Sequence, residues 1–119
     1  MDIVKYKTML SNRIVEPIVA YMQEWEEDCS FTAKDVHKCE AILNQYLDSL
    51  ALLSGAADKD IMKCVKKAVV ALNKLNEKTD YTLLETDERE NICELIQRSA
   101  VECGLQNPEE DITEEWREW

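Results

Sequence analysis

One histidine, His37, and five cysteines, Cys29, Cys39, Cys64, Cys93 and Cys103, bound the nucleophilic and metal chemistry open to this chain. A thiol nucleophile needs a base within hydrogen-bond reach. In "VHKCE" His37 and Cys39 lie two apart, about 200° round a helix, so they face opposite ways. A Cys–His pair would have to form between helices, and His37 reads instead as a partly exposed surface residue. Carboxylate-bridged di-metal bundles need two Glu-x-x-His motifs on facing helices. The single histidine precedes Glu40 in the reverse order, which excludes that class in its usual form. No CxxC occurs, and an odd, widely spaced set of cysteines suits neither a zinc site nor a disulfide framework. Three of the five fall at apolar periodic positions, as buried free thiols do.

Carboxylates alone can hold magnesium, which prefers hard oxygen ligands. Glu24-Trp25-Glu26-Glu27 and Glu77-Lys78-Thr79-Asp80 match the Glu-x-x-Glu and Glu-x-x-Asp pairs of all-α nucleoside triphosphate pyrophosphatases. A whole predicted helix separates the two, and an acid-rich chain produces such matches freely. Solvated helix ends are the plainer reading, and a magnesium-dependent all-α nucleotide pyrophosphohydrolase stands as the alternative. Gly55 and Gly104, the only glycines, cannot build a phosphate-cradling loop. Basic and aromatic residues do not interleave as single-stranded nucleic acid would require. No cofactor is expected.

The last eleven residues, "EEDITEEWREW", hold six acids, one arginine and two tryptophans. They belong to an uneven charge layout. The formal net charge is −11, with twelve acids against three arginines over residues 85–119 but six lysines against four acids over residues 56–84. Such a surface repels phosphate backbones and anionic lipid headgroups, so neither nucleic acid nor a membrane surface is an expected partner. A basic protein is its electrostatic complement. The expected partner-facing field is Glu109, Glu110, Asp111, Glu114 and Glu115, joined by Asp87 and Glu88. Trp116 or Trp119 is the expected anchor, since tryptophans beside charges dominate interface energetics. Two indoles are wasted on a free tail, so Trp116 is expected to dock on the protein's own helices, with Trp119 the more exposed.

The elements that must position these residues follow from periodicity. The chain is long enough for one core, residues 1–119 as a single domain, and its scarcity of glycine and proline favours long helices. Leu10, Ile14, Ile18, Met22 and Trp25 line a first helix, split or kinked at Pro17. Thr32 with Asp35 makes a capping box for a second, whose stripe is Val36, Cys39, Leu43, Tyr46, Leu50 and Leu53, widened by Ile42, Leu47 and Leu52 and closed by Gly55. That stripe is a bundle face or, in a third reading, the seam of a homodimer. Asp58 opens a third helix with Ile61, Val65, Ala68, Leu72 and Leu75 inward, and Lys59, Lys63, Lys66, Lys67, Lys74 and Lys78 facing neighbouring acids. Thr86 is the expected cap of a fourth, with Ile92, Ile96, Ser99 and Cys103 on one face, Leu95 and Val101 beside it, and Gly104 at its end. Thr113 is expected to cap a short final helical turn.

The stretch from "ALNKLNEKTDYTLLETDEREN" through "ECGL" to "DITEEWREW" resembles small uncharacterised bacterial helical proteins that end in an acidic, tryptophan-bearing motif. In size, acidity and helicity the chain also resembles immunity proteins, which cover the basic active-site cleft of a toxin. The fold expected is all-α, a single-domain bundle of four main helices with a short C-terminal helical turn. The function expected is a non-catalytic acidic module binding a basic partner, such as a toxin nuclease. The free thiols and the absence of an 18-residue apolar run point to a soluble, cytoplasmic protein.

Overall fold

Apolar residues recurring every three or four positions wind this chain into α1 (Ile3–Met9), α2 (Glu16–Glu24), α3 (Ala33–Ala51), α4 (Asp58–Lys78) and α5 (Thr86–Cys103), with no strand among the described residues. The computed structural model describes residues 1–53 and 55–119. The helices form one bundle of about four rods, because α1 and α2 are joined without a break.

That junction is a π-helical stretch, Leu10–Val15, in which the Glu16 N–H bonds to the Ser11 carbonyl five residues back. Pro17 follows in the first turn of α2. A proline lacks the N–H for an i→i−4 bond, and its ring strikes the carbonyl four residues earlier. Widening the preceding turn by one residue moves the chain out of that register, so the rod continues. Leu10, Ile14 and Ile18 stay on the buried face throughout. The sequence alternatives, two helices or one kinked helix, thus resolve into one continuous run. Asp2 caps it by accepting the Lys5 N–H at 3.1 Å. Tyr6 ties it to α5: its hydroxyl donates to the Arg98 carbonyl at 3.2 Å and to the Glu102 carboxylate. Burial and that carboxylate push the phenol up to about 12.

The capping box of α3 is present, with the Thr32 N–H and hydroxyl donating to Asp35 at 3.0 and 3.2 Å. Val36, Cys39, Leu43, Tyr46, Leu47 and Leu50 are buried. This face meets the other helices of the same chain, so it is the bundle interior and not an external seam. The stripe is shorter than its sequence suggests. The helix stops at Ala51, Leu52 is 86% exposed, and Gly55, at φ +67°, lies in the next corner and not at the cap. Tyr46 brings a hydroxyl into the core, where it donates to the Ile96 carbonyl at 3.0 Å and shares a hydrogen bond with Ser99 at 3.0 Å. Burial raises this phenol above its ordinary range.

In α4 the expected inward residues Ile61, Val65, Ala68, Leu72 and Leu75 are all buried. Asp58 opens it, and its carboxylate also accepts the Gln106 N–H at 2.9 Å and the Asn107 N–H at 3.1 Å, contacts that hold the acid below its usual range. The corner into α5 is built on buried Asn76. Its side-chain oxygen accepts the Leu84 N–H at 3.0 Å and its carbonyl the Tyr81 N–H at 2.7 Å, while Asp80 and Tyr81 turn the chain at positive φ. Glu85, not Thr86, is the N-cap of α5; Thr86 is its first helical residue. Gly104 ends the helix in the left-handed conformation as expected. Val101 is 44% exposed, since the helix buries its Ile92, Leu95, Ile96, Ser99 and Ala100 face.

The lysines of α4 contradict their expected pairing. Among the described residues the ion pairs are Lys7–Asp48 (2.8 Å), Arg13–Glu94 (3.4 Å), Arg98–Glu94 (3.3 Å), Lys5–Glu102 (3.8 Å) and Arg117–Asp111 (3.0 Å). None involves Lys59, Lys63, Lys66, Lys67, Lys74 or Lys78. Helix α4 turns its lysines toward solvent and toward the tail, while Glu94 and Glu102 of α5 are met by Arg13, Arg98 and Lys5. No helix among the described residues is long and apolar enough to cross a membrane.

Leu50 is fully buried, so Leu50→Asp is expected to cost several kcal/mol, on the order of the whole fold's stability. Tyr46→Phe, which removes one buried donor, should cost about 1 kcal/mol. Circular dichroism melting curves measure both, and an unchanged curve for Leu50→Asp would refute the bundle interior assigned to α3.

Candidate functional site

The acidic tail is the last piece of the fold, held by two amide side chains that each grip it twice. Asn73 of α4 donates to the Trp116 carbonyl at 2.7 Å and accepts the Glu118 N–H at 3.0 Å. Gln97 of α5 donates to the Glu109 carbonyl at 3.1 Å and accepts the Ile112 N–H at 3.1 Å. Ile112 and Thr113 are buried beneath. Asp111, and not Thr113, caps the final turn, accepting the Thr113 N–H at 2.9 Å and its hydroxyl at 2.6 Å. Arg117 closes the same carboxylate at 3.0 Å. Burial alone would raise the Asp111 pKa, but the Thr113 and Arg117 contacts outweigh it and hold the group low.

Both tail indoles pack on the bundle. Trp116 is half-buried with Lys66 Nζ 5.9 Å from its ring centre, and Trp119 lies under the Arg117 guanidinium at 5.4 Å. Trp119, expected as the more exposed indole, is half-buried like Trp116, and its Nε1 is enclosed with no hydrogen-bond partner among the described residues. The docking expected for Trp116 is observed, and Trp119 joins it. Glu109, Glu110, Glu114 and Glu115 are exposed and in no ion pair among the described residues, whereas Asp111 is spent inside the turn.

Asp87 and Glu88 do not join that patch. The tail runs along the Cys93 and Gln97 side of α5, with the Cys93 thiol 3.5 Å from Thr113 Oγ1. Asp87 and Glu88 instead line a shallow cleft of about 220 Å³ with Glu85, Thr86, Thr82 and Tyr21 of α2. Burial first, then the Glu85 and Asp87 charges, raise the Glu88 pKa against its own backbone hydrogen bond. Tyr21 is 46% exposed and Trp25 48% exposed, with ring centres 6.4 Å apart, and Tyr21 stacks on buried Phe31 at 6.1 Å. Periodicity assigned Trp25 to the core. It misses because α2 ends at Glu24, so Trp25 leaves the helical face. The signal that could have found it is "EWEED", a tryptophan among acids like those of the tail.

The carboxylates of the magnesium reading do not converge. Among the described residues no group of three or more His, Cys, Asp or Glu side chains could hold a metal ion, so Glu24, Glu27, Glu77 and Asp80 form no such site. All five thiols are free, and burial pushes Cys39 up to about 12 and raises Cys64, Cys93 and Cys103, which leaves those four unactivated. His37 is exposed while Cys39 is buried, as their spacing required.

Magnesium is therefore expected to leave the melting temperature unchanged, where a specific site at 100 times its dissociation constant would add about 2.7 kcal/mol. In a Trp25→Phe background, fluorescence reports the tail alone. Asn73→Ala should shift that emission to the red and cost about 1 kcal/mol per hydrogen bond lost. Because the folded Asp111 pKa is depressed, its contribution is present above the ordinary aspartate value of about 3.9 and is lost as pH falls through the lowered one. The same red shift should appear in that acid window, and an Asp111→Asn variant should lack this step. No family model, curated protein or solved structure matches the chain.

Proposed function

We propose that this chain is a non-catalytic, acidic protein-binding module, most concretely an immunity protein or inhibitor that covers the basic cleft of a toxin such as a nuclease. The observation that carries the reading is the corner where exposed Tyr21, with exposed Trp25 next to its ring, borders the carboxylates of Glu85, Asp87 and Glu88, none of them in an ion pair among the described residues. Exposed aromatics give a partner rigid apolar area, and their faces attract arginine and lysine. The clustered acids speed encounter with a cationic surface. Glu109, Glu110, Glu114 and Glu115, fixed on the docked tail, extend the negative field on another face. The free thiols fit a reducing compartment, which supports a cytoplasmic setting.

The test is capture of a basic protein by the immobilised chain, followed by binding kinetics with variants. Trp25→Ala should weaken the complex about 30-fold, the effect of about 2 kcal/mol at an interface anchor. Asp87→Lys and, separately, Glu114→Lys with Glu115→Lys should slow association and flatten its salt dependence, with melting curves unchanged. Affinity should rise with pH through the raised Glu88 pKa, because a cationic partner favours the ionised carboxylate. Binding indifferent to every one of these changes would discard the acidic-module reading.

A further inference from the structure

In a chain of net charge −11, one face is basic. Helices α3 and α4 run antiparallel, and on the flank of α4 beside the one the tail covers they leave an open groove. One part, of about 260 Å³, is bordered by Lys63 and Lys67, and its continuation, of about 420 Å³, by Lys38, Lys74 and Lys78. All five lysines are exposed, and none is in an ion pair among the described residues. The floor shared by the two parts is Ile42 and Ala71, with Gln45 at the rim. From Lys63 to Lys78 the groove follows α4 for about 22 Å, at about 1.5 Å per residue.

Two features ask for an anionic occupant. The lysines are concentrated on one groove although the chain has 25 acids available to pair with them. Across one end Lys38 and Lys78 lie so close that Lys78 lowers the Lys38 pKa, a like-charge contact that a bound carboxylate would relieve. The floor chooses among anions. It is aliphatic, and the one aromatic at its edge, Tyr46, is buried with its hydroxyl engaged, so no ring is free to stack on a base. A second copy in a two-fold arrangement would set five lysines against five lysines.

We infer that the α3/α4 groove binds an amphipathic helix of a partner protein, its apolar stripe on Ile42 and Ala71 and its flanking Asp and Glu residues against Lys38, Lys63, Lys67, Lys74 and Lys78. A peptide helix of about four turns spans the groove, and helix-in-groove docking uses anchors at three- and four-residue spacing. This surface is opposite in sign to the acidic corner and separate from it, so it does not depend on the acidic-module reading.

The probe is a phage-displayed library of random helical peptides of about 18 residues, selected on the wild-type chain and counter-selected on a Lys67→Glu, Lys74→Glu variant. Both lysines are exposed and unpaired, so the variant should melt like the wild type. Enriched peptides should carry acids flanking an apolar stripe. Fluorescence anisotropy should show binding weakened about tenfold or more in the double variant, as for loss of charge complementarity. Ala71→Gln, which fills the floor without changing charge, should also weaken it. Enrichment of peptides lacking acids, or peptides held equally by all variants, overturns the proposal. So does tighter binding of an oligo-dT strand at about 0.15 M salt, which would make the groove a nucleic-acid site. Self-association of the wild type in sedimentation, lost in the double variant, overturns it in favour of a second copy.

Discussion

Tyr46 carries a hydroxyl from α3 into the buried core, and an unmatched hydroxyl there would cost a large share of the fold's stability. The match comes from α5, through the Ile96 carbonyl and Ser99. Hydrophobic burial is non-directional and lets helices slide, whereas this contact has one register. With α3 and α5 set against one another, α4 covers the remaining flank of α3. The rod made by α1, the π turn and α2 crosses both, with Tyr6 pinning it to the far end of α5. Even the tail inherits this register, because Gln97 lies next to Ile96.

Much of this arrangement is legible in the periodicity. The inward residues of α4 could be named from spacing alone, and Thr32 with Asp35 announces the start of α3. The failures occur at helix ends. Leu52, Val101 and Trp25 continue an apolar rhythm past the point where the backbone, or the neighbour that would cover them, stops. Spacing records which side of a helix a residue takes but not whether anything stands opposite. Pro17 shows the converse limit. Its chemistry announces an interruption, but whether the chain breaks, bends or widens depends on keeping Ile14 and Ile18 in one buried line, a requirement set by α3 and α5.

The surfaces were harder to read than the core. Composition suggests that two indoles will not be left in water, and both are docked. What holds them is the pair of amides Asn73 and Gln97, ordinary polar residues of α4 and α5 whose partners lie far along the chain, so no local pattern marks them. The same blindness applies to charge. Net charge is a sum, and here the sum hides a division into an acidic corner with exposed aromatics, an acidic tail and a basic groove. The lysines of α4 looked like internal complements because the acids outnumber them, but sequence arithmetic contains no geometry. Attraction between exposed ions is too weak to draw those acids across the bundle.

Asp58 joins the opening turn of α4 to the residues just beyond α5, giving backbone amides at Gln106 and Asn107 an acceptor in a loop that would otherwise be solvated. Loop amides of this sort ordinarily exchange with solvent almost at once, and helix ends fray independently. Here Asp58 is itself the first residue of α4, so fraying of that turn carries the acceptor away and frees the Gln106 and Asn107 amides with it. The stretch after Gly104 therefore loses its acceptor whenever the first turn of α4 opens, despite their separation along the chain. The Gln106 and Asn107 amides should exchange at least as fast as that turn frays, and a protease that waits for the turn to open should find the loop open in the same excursions.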